Sequence, residues 1–86
     1  MKVYKWPLDL VTHNTIELPI NSTLLTVKLQ QNRPTLWALV DPALENEAIV
    51  VSIYGTGHEI KKPSEYIATF ETHNGTYVWH AFKDTK

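Results

Sequence analysis

Cysteine is absent from the 86 residues, which removes disulfide cross-links and thiolate metal sites at once. Glycine is scarce, at three residues, so each one marks a place where the main chain has a special task. Arginine occurs once, as Arg33. No apolar run approaches the roughly 20 residues that span a bilayer as a helix, so no membrane partner is expected. The opening MKVYKWPLDL lacks a long apolar core and meets Pro7 early, which argues against a signal peptide. Neither sign of charge dominates: eight basic and nine acidic side chains leave a formal charge of −1. A duplex-binding module usually carries a clear basic excess, so general nucleic-acid binding is not expected, although a local basic pocket is compatible with this balance.

Strand chemistry and aromatic rings are plentiful. Three Trp, four Tyr and two Phe can fill a small β core or offer stacking surfaces. At this length one domain over residues 1–86 is expected, near the small end of what folds unaided. Short alternating runs separated by turn residues predict an all-β fold, a small antiparallel barrel or sandwich of about six to seven short strands. The runs are Lys2–Trp6, Thr15–Leu18, Thr23–Gln30, Thr35–Asp41, Ala48–Tyr54, Glu65–Glu71 and Thr76–Lys83. Gln31-Asn32-Arg33-Pro34 is expected to turn the chain, and Asp41-Pro42 to break it, with Asp41 accepting main-chain hydrogen bonds. The nearly continuous TLWALVD reads as a central strand covered on both faces.

Asn74-Gly75 between two alternating runs predicts a two-residue type I′ hairpin. A straight register from that turn sets Phe70 against Trp79 and Ala68 against Ala81. One face then carries Tyr66, Ala68, Phe70, Tyr77, Trp79 and Ala81, as a core would. The other mixes Ile67, Val78 and Phe82 with Thr69, Glu71 and His80. That mixture suits an oligomer interface, for which Ile67, Val78, His80 and Phe82 are the candidates.

Chemistry is expected first at Gly55-Thr56-Gly57-His58. Two glycines around a small hydroxyl residue can aim successive N–H groups into one concavity, and Lys61 adds charge nearby. The same four residues also serve as a plain strand connection, and both readings stand at this level. The loop lacks the length and following helix of a P-loop. Arg33 could clamp a phosphate or carboxylate, and Trp37, just after it, could stack on a base. Trp6, Trp37 and Trp79 are read as core ahead of stacking platforms, and if one of them is exposed, Trp6 near the chain end is the one expected. The histidines show no zinc-like spacing, so neither a metal nor another cofactor is expected. Ser22, Ser52 and Ser64 have no nucleophile-elbow context, and Glu71 is the only carboxylate placed among apolar neighbours; no catalytic residue is assigned.

The segments KVYKWPLDL, LWALVDP, IYGTGHEI and YIATF…VWHAF, in that order, resemble a family of small proteins encoded by tailed bacteriophages and prophages and described as a domain of unknown function. The resemblance covers nearly the whole chain, with Leu36–Pro42 and Tyr54–His58 its most specific pieces. It implies a viral origin, a host-cytoplasmic location and a single small β domain, and transfers no activity. The expected function is a non-enzymatic accessory protein that binds a small, anionic, nucleotide-like ligand and sequesters a host immune signal, as a homo-oligomer. A protein-binding inhibitor of a host or defence enzyme, a nucleotide-degrading enzyme using His58 or His80 as acid–base group, and a virion component are the alternatives.

Overall fold

A computed structural model describes residues 1–85. The chain forms β1 (Lys2–Pro7), β2 (Asn14–Pro19), β3 (Thr23–Gln30), β4 (Arg33–Val40), β5 (Asn46–Gly55), β6 (Ser64–Thr72) and β7 (Tyr77–Asp84). Two antiparallel sheets result, one of three strands in the order β1-β4-β3 and one of four in the order β2-β5-β7-β6. They stack as a small β-sandwich, and β3 runs beside β6 so that one side is nearly closed. β1 and β2 are the free edges of the other side.

The inner faces follow from period-2 alternation. Leu36, Ala38 and Val40 of β4 meet Ile49, Val51 and Ile53 of β5, with Val27, Leu18, Phe70, Ala68 and Ala81 completing the core. Small residues at positions 38, 68 and 81 let the sheets approach, while Leu8 from the loop after β1 closes one end. Trp6 packs against this core, and all three tryptophans are half-buried, none of them exposed. β4 is central, as its apolar run predicts, but only one of its faces is covered by the second sheet. Trp37 and Leu39, on the other face, are half-buried.

The turns show how local chemistry sets the register. Gln31 and Asn32 both have positive φ, so the tight turn is confined to these two, and Arg33 and Pro34 belong to β4 instead of the turn. Pro34 carries no N–H to offer the Leu8 carbonyl across the β1–β4 ladder. Arg33 Nε donates to that carbonyl at 3.2 Å in its place, while the Leu8 N–H donates to Pro34 O at 2.8 Å. Asp41 acts as expected, its carboxylate accepting from Ala43 N at 3.1 Å. Residues 42–44 form a turn and bend without a helical turn, and β5 begins at Asn46.

In the last hairpin Asn74 and Gly75 adopt φ 56° and 86°, and Phe70↔Trp79 and Ala68↔Ala81 pair in the expected register. A β-bulge between Tyr66 and Ala68 then corrects the straight-register expectation. It moves Tyr66 opposite Phe82 and sends Ile67 to the core side, so Ile67 and Tyr66 exchange faces. Ile67 therefore leaves the outer-face set assigned to an interface, and Tyr66 joins it.

β5 and β6 are parallel to each other, with antiparallel β7 between them. Residues 56–63 must consequently travel the length of β7, from the Trp79 end to the Asp84 end, outside the sandwich. Ser52 and Tyr54 point to this outer face and are nonetheless buried, as expected beneath such a strap. The far end of the strap is held where Thr85 N donates to Pro63 O at 2.8 Å, Ser52 Oγ donates to Asp84 at 2.8 Å and Lys62 Nζ lies 3.6 Å from the same carboxylate.

Candidate functional site

The residues expected to bind a ligand fall on two different sheets. Gly55-Thr56-Gly57-His58 leaves the end of β5 in the four-stranded sheet, whereas Arg33 and Trp37 lie on the outer face of the three-stranded one.

The glycine loop is not a preformed anion nest. Thr56 N donates to Val78 O at 3.2 Å, His58 N to Gly55 O at 3.1 Å, and Gly55 N to His58 Nδ1 at 3.2 Å. Only Gly57, at φ 89°, keeps a main-chain N–H without a partner among the described residues. The loop is a tight turn whose donors are spent locally and on β7, a pairing that local sequence does not reveal. Lys61 is exposed on the strap and makes no ion pair among the described residues.

His80 is likewise engaged. Its Nε2 lies 2.8 Å from Thr56 Oγ1 and its Nδ1 lies 3.1 Å from Thr69 Oγ1, which in turn lies 2.8 Å from the Tyr66 hydroxyl. A neutral imidazole satisfies one hydroxyl as donor and the other as acceptor, so the ring pins the turn to the sheet. Val78, His80 and Phe82 do share the outer face, with Phe82 edge-on to both Tyr54 and Tyr66. Replacing His80 by Ala is expected to cost about 1 kcal/mol in chemical denaturation, the usual net worth of such partly exposed hydrogen bonds. A loss of several kcal/mol would mean the network supports much more of the fold than this one turn.

The cleft at the hairpin tips does not suit an anion either. It encloses about 660 Å³ and is lined by Leu10, Leu29, Asn32, Glu71, His73 and Asn74 among others, with one carboxylate and no lysine or arginine. A second hollow of about 300 Å³ between β3 and β6 holds Glu65 and Lys83 together. No group of three or more His, Asp or Glu side chains is placed to hold a metal ion among the described residues.

The outer face of the three-stranded sheet is chemically different. It carries Lys5, Lys28 and Arg33, while Lys2 lies on the inner-face side opposite Val40, and β1, β3 and β4 contain not one Asp or Glu. The strands of the other sheet carry Glu17, Glu47, Glu65, Glu71 and Asp84 against Lys83 alone. A chain of net charge −1 is thus split into a basic sheet and an acidic one.

Trp37 lies at the centre of the basic face. It pairs with Lys5 of β1 on one side and Thr26 of β3 on the other, while Lys28 is one position along. The Lys5 and Lys28 ammonium groups lie 5.5 and 6.0 Å from the Trp37 ring centre, within cation–π range. Lys5 Nζ also donates to Gln30 Oε1 at 2.6 Å. Trp37 Nε1 is buried and finds no acceptor among the described residues. Arg33 stands at the rim, 3.3 Å from the exposed Asp9 carboxylate and bonded to Leu8 O, so its first role is structural. Lys5 and Lys28 are the site residues that sequence reasoning missed. The signal available was the missing carboxylates in the runs 2–7, 23–30 and 33–40.

Fold and surface define a small antiparallel β-sandwich with one basic, tryptophan-centred face. The chain belongs to the family described as a domain of unknown function (DUF7352), whose model matches residues 1–86. That description carries neither a source nor an activity. No curated protein and no solved structure matches the chain.

Proposed function

We propose that the protein is a non-enzymatic binding module for an anionic ligand with a planar ring, of the nucleotide class, and that the site is the face around Trp37. The observation that carries this is the pair of lysines bracketing one half-buried indole on a sheet whose strands carry no carboxylate. Phosphate draws the flexible Lys5 and Lys28 ammonium groups off the ring and pairs with them, and the uncovered indole stacks on the base. Stacking on an aromatic side chain contributes about 1–3 kcal/mol per base.

The site differs from the glycine loop in its support. Lys5 and Lys28 make no ion pair among the described residues and are held only by one hydrogen bond to Gln30 and by the Trp37 ring, whereas three of the four amides of the loop are spent. In the phage setting that the sequence resemblance implies, a binder without catalytic groups acts by sequestering a nucleotide signal of the host.

Calorimetric titration with nucleoside phosphates, cyclic di- and trinucleotides and a short single-stranded oligonucleotide tests this at low and high salt. Saturable binding of at least one of them is expected, weakening as salt rises because phosphate contacts displace counterions. Absence of heat with every ligand at low salt, from a folded sample, overturns it.

A further inference from the structure

β1 is the free edge of the basic sheet, and its pattern of main-chain groups is defined by one bond. Leu8 N donates to Pro34 O, so the even-numbered positions of this strand bond toward β4. The N–H and C=O groups of Val3 and Lys5 therefore point away from the sheet, and no described group bonds to them. The exposed apolar side chains of the edge cluster on the same strand: Met1, Val3 and Tyr4 are 73%, 55% and 40% exposed. Tyr4 faces the core side yet overhangs it, with its ring 6.3 Å from that of Trp6.

We infer that this edge pairs with β1 of a second copy of the chain, antiparallel and centred on Tyr4, joining two three-stranded sheets into one. In that register Val3 of one copy exchanges both main-chain bonds with Lys5 of the other, and the symmetric pair does the same. The side chains agree with it. Val3 lies opposite Lys5 and Lys2 opposite Trp6, so no lysine is directly opposed to a lysine. The two Lys5 residues are diagonal neighbours, but each ammonium is drawn away from the seam toward Trp37 and Gln30, and the two Tyr4 rings cover each other. Lysine and proline on an edge strand ordinarily discourage pairing. Here Pro7 falls at the end of the overlap, where its missing N–H deprives the seam of nothing that Val3 and Lys5 supply. Shifting the register by one residue in either direction would set outward-pointing groups against inward-pointing ones. A shift by two toward the N-terminus opposes Val3 to itself and runs the overlap off the end of β1; toward the C-terminus it opposes Lys5 to Lys5. The centred register is the one that satisfies donors, charges and length together. It also makes the basic faces of the two copies continuous, with Lys5 of each beside Val3 of the other.

Sedimentation equilibrium of the full chain is expected to give a concentration-dependent mass rising to that of two chains. Val3→Pro is the decisive variant. It removes a solvent-facing N–H that the single copy does not use, so an edge position tolerates it, but it deletes a donor from each half of the seam. A monomer at every concentration is expected for Val3→Pro. A wild-type chain that stays monomeric, or a dimer that Val3→Pro leaves intact, overturns the pairing. Amide hydrogen exchange of the wild type gives the same decision without a variant. Val3 and Lys5 amides should slow as concentration rises, while Tyr4, already bonded to β4, stays protected throughout. Fast exchange at Val3 and Lys5 at all concentrations counts against the seam as directly as a monomeric mass does.

Discussion

Leu36→Ala is expected to cost about 2–5 kcal/mol of folding stability, the range for deleting a fully buried leucine side chain and leaving a cavity. Leu36 is completely inaccessible, paired with Trp6 and Val27 and facing the opposite sheet. At roughly 0.05–0.15 kcal/mol per residue, a chain of 86 residues has about 4–13 kcal/mol in total. One substitution thus removes a large share of the fold, and at the low end of that range the variant is partly unfolded at room temperature. Urea denaturation should show a lower midpoint with an unchanged slope, since the surface exposed on unfolding hardly changes. Leu39→Ala, on the same strand but facing outward, is the internal comparison and should cost about 1 kcal/mol. Equal losses at positions 36 and 39 would mean that the outer face of β4 is covered after all.

That comparison touches the boundary between what the sequence made legible and what it hid. Alternation, with the nearly continuous apolar run at 35–41 and the β-branched run at 48–54, placed all seven strands, and Thr23–Gln30 is matched at both ends, because these patterns are local properties of the chain. The Asn74-Gly75 signal fixed pairing as far as Ala68, since the turn needs positive φ at both positions and nothing between it and Ala68 interrupts the ladder. Beyond Ala68 the bulge changed the faces of Ile67 and Tyr66, and no residue type at 66–68 announces a bulge. Pro34 looked like a turn residue because its ring removes a ladder donor. The guanidinium that replaces that donor comes from Arg33 but reaches the Leu8 carbonyl, in the loop just after β1 and far away in sequence. In the glycine loop the Gly55 and His58 amides are taken up locally, and only the Thr56 amide is taken up by a distant strand. Whether the Thr56 amide is free depends on β7 lying beside β5, which the order of the chain does not dictate. Trp37 and Arg33 were visible as types, whereas Lys5 and Lys28 become partners of Trp37 only once β1 and β3 flank β4.

Charge reversal at both flanking lysines, Lys5→Glu with Lys28→Glu, should abolish ligand binding while leaving the fold intact. Both side chains are exposed, their contacts are one hydrogen bond to Gln30 and the approach to the Trp37 ring, and surface substitutions of this kind stay within about 0.5 kcal/mol. For the ligand the change is large. Two ammonium–phosphate contacts disappear and two carboxylates take their place beside the indole, so the formal charge goes from −1 to −5, each reversal contributing −2. A hydrogen bond to a charged group contributes about 1.5–3 kcal/mol before surface screening. Two of them, discounted for exposure and then replaced by repulsion, correspond to a loss on the order of 100-fold or more. Trp37→Leu separates the other half of the site. It retains an apolar side chain on the sheet but no stacking surface, and should weaken binding by the stacking contribution of about 1–3 kcal/mol, with the salt dependence of the wild type preserved. The double charge reversal should instead flatten that salt dependence, because the phosphate contacts that release counterions are gone. The pair of signatures distinguishes a site built from charge and ring together from non-specific attraction to a basic surface, in which Trp37→Leu would change nothing. Retention of wild-type affinity by the doubly reversed chain would remove the ligand from this face altogether.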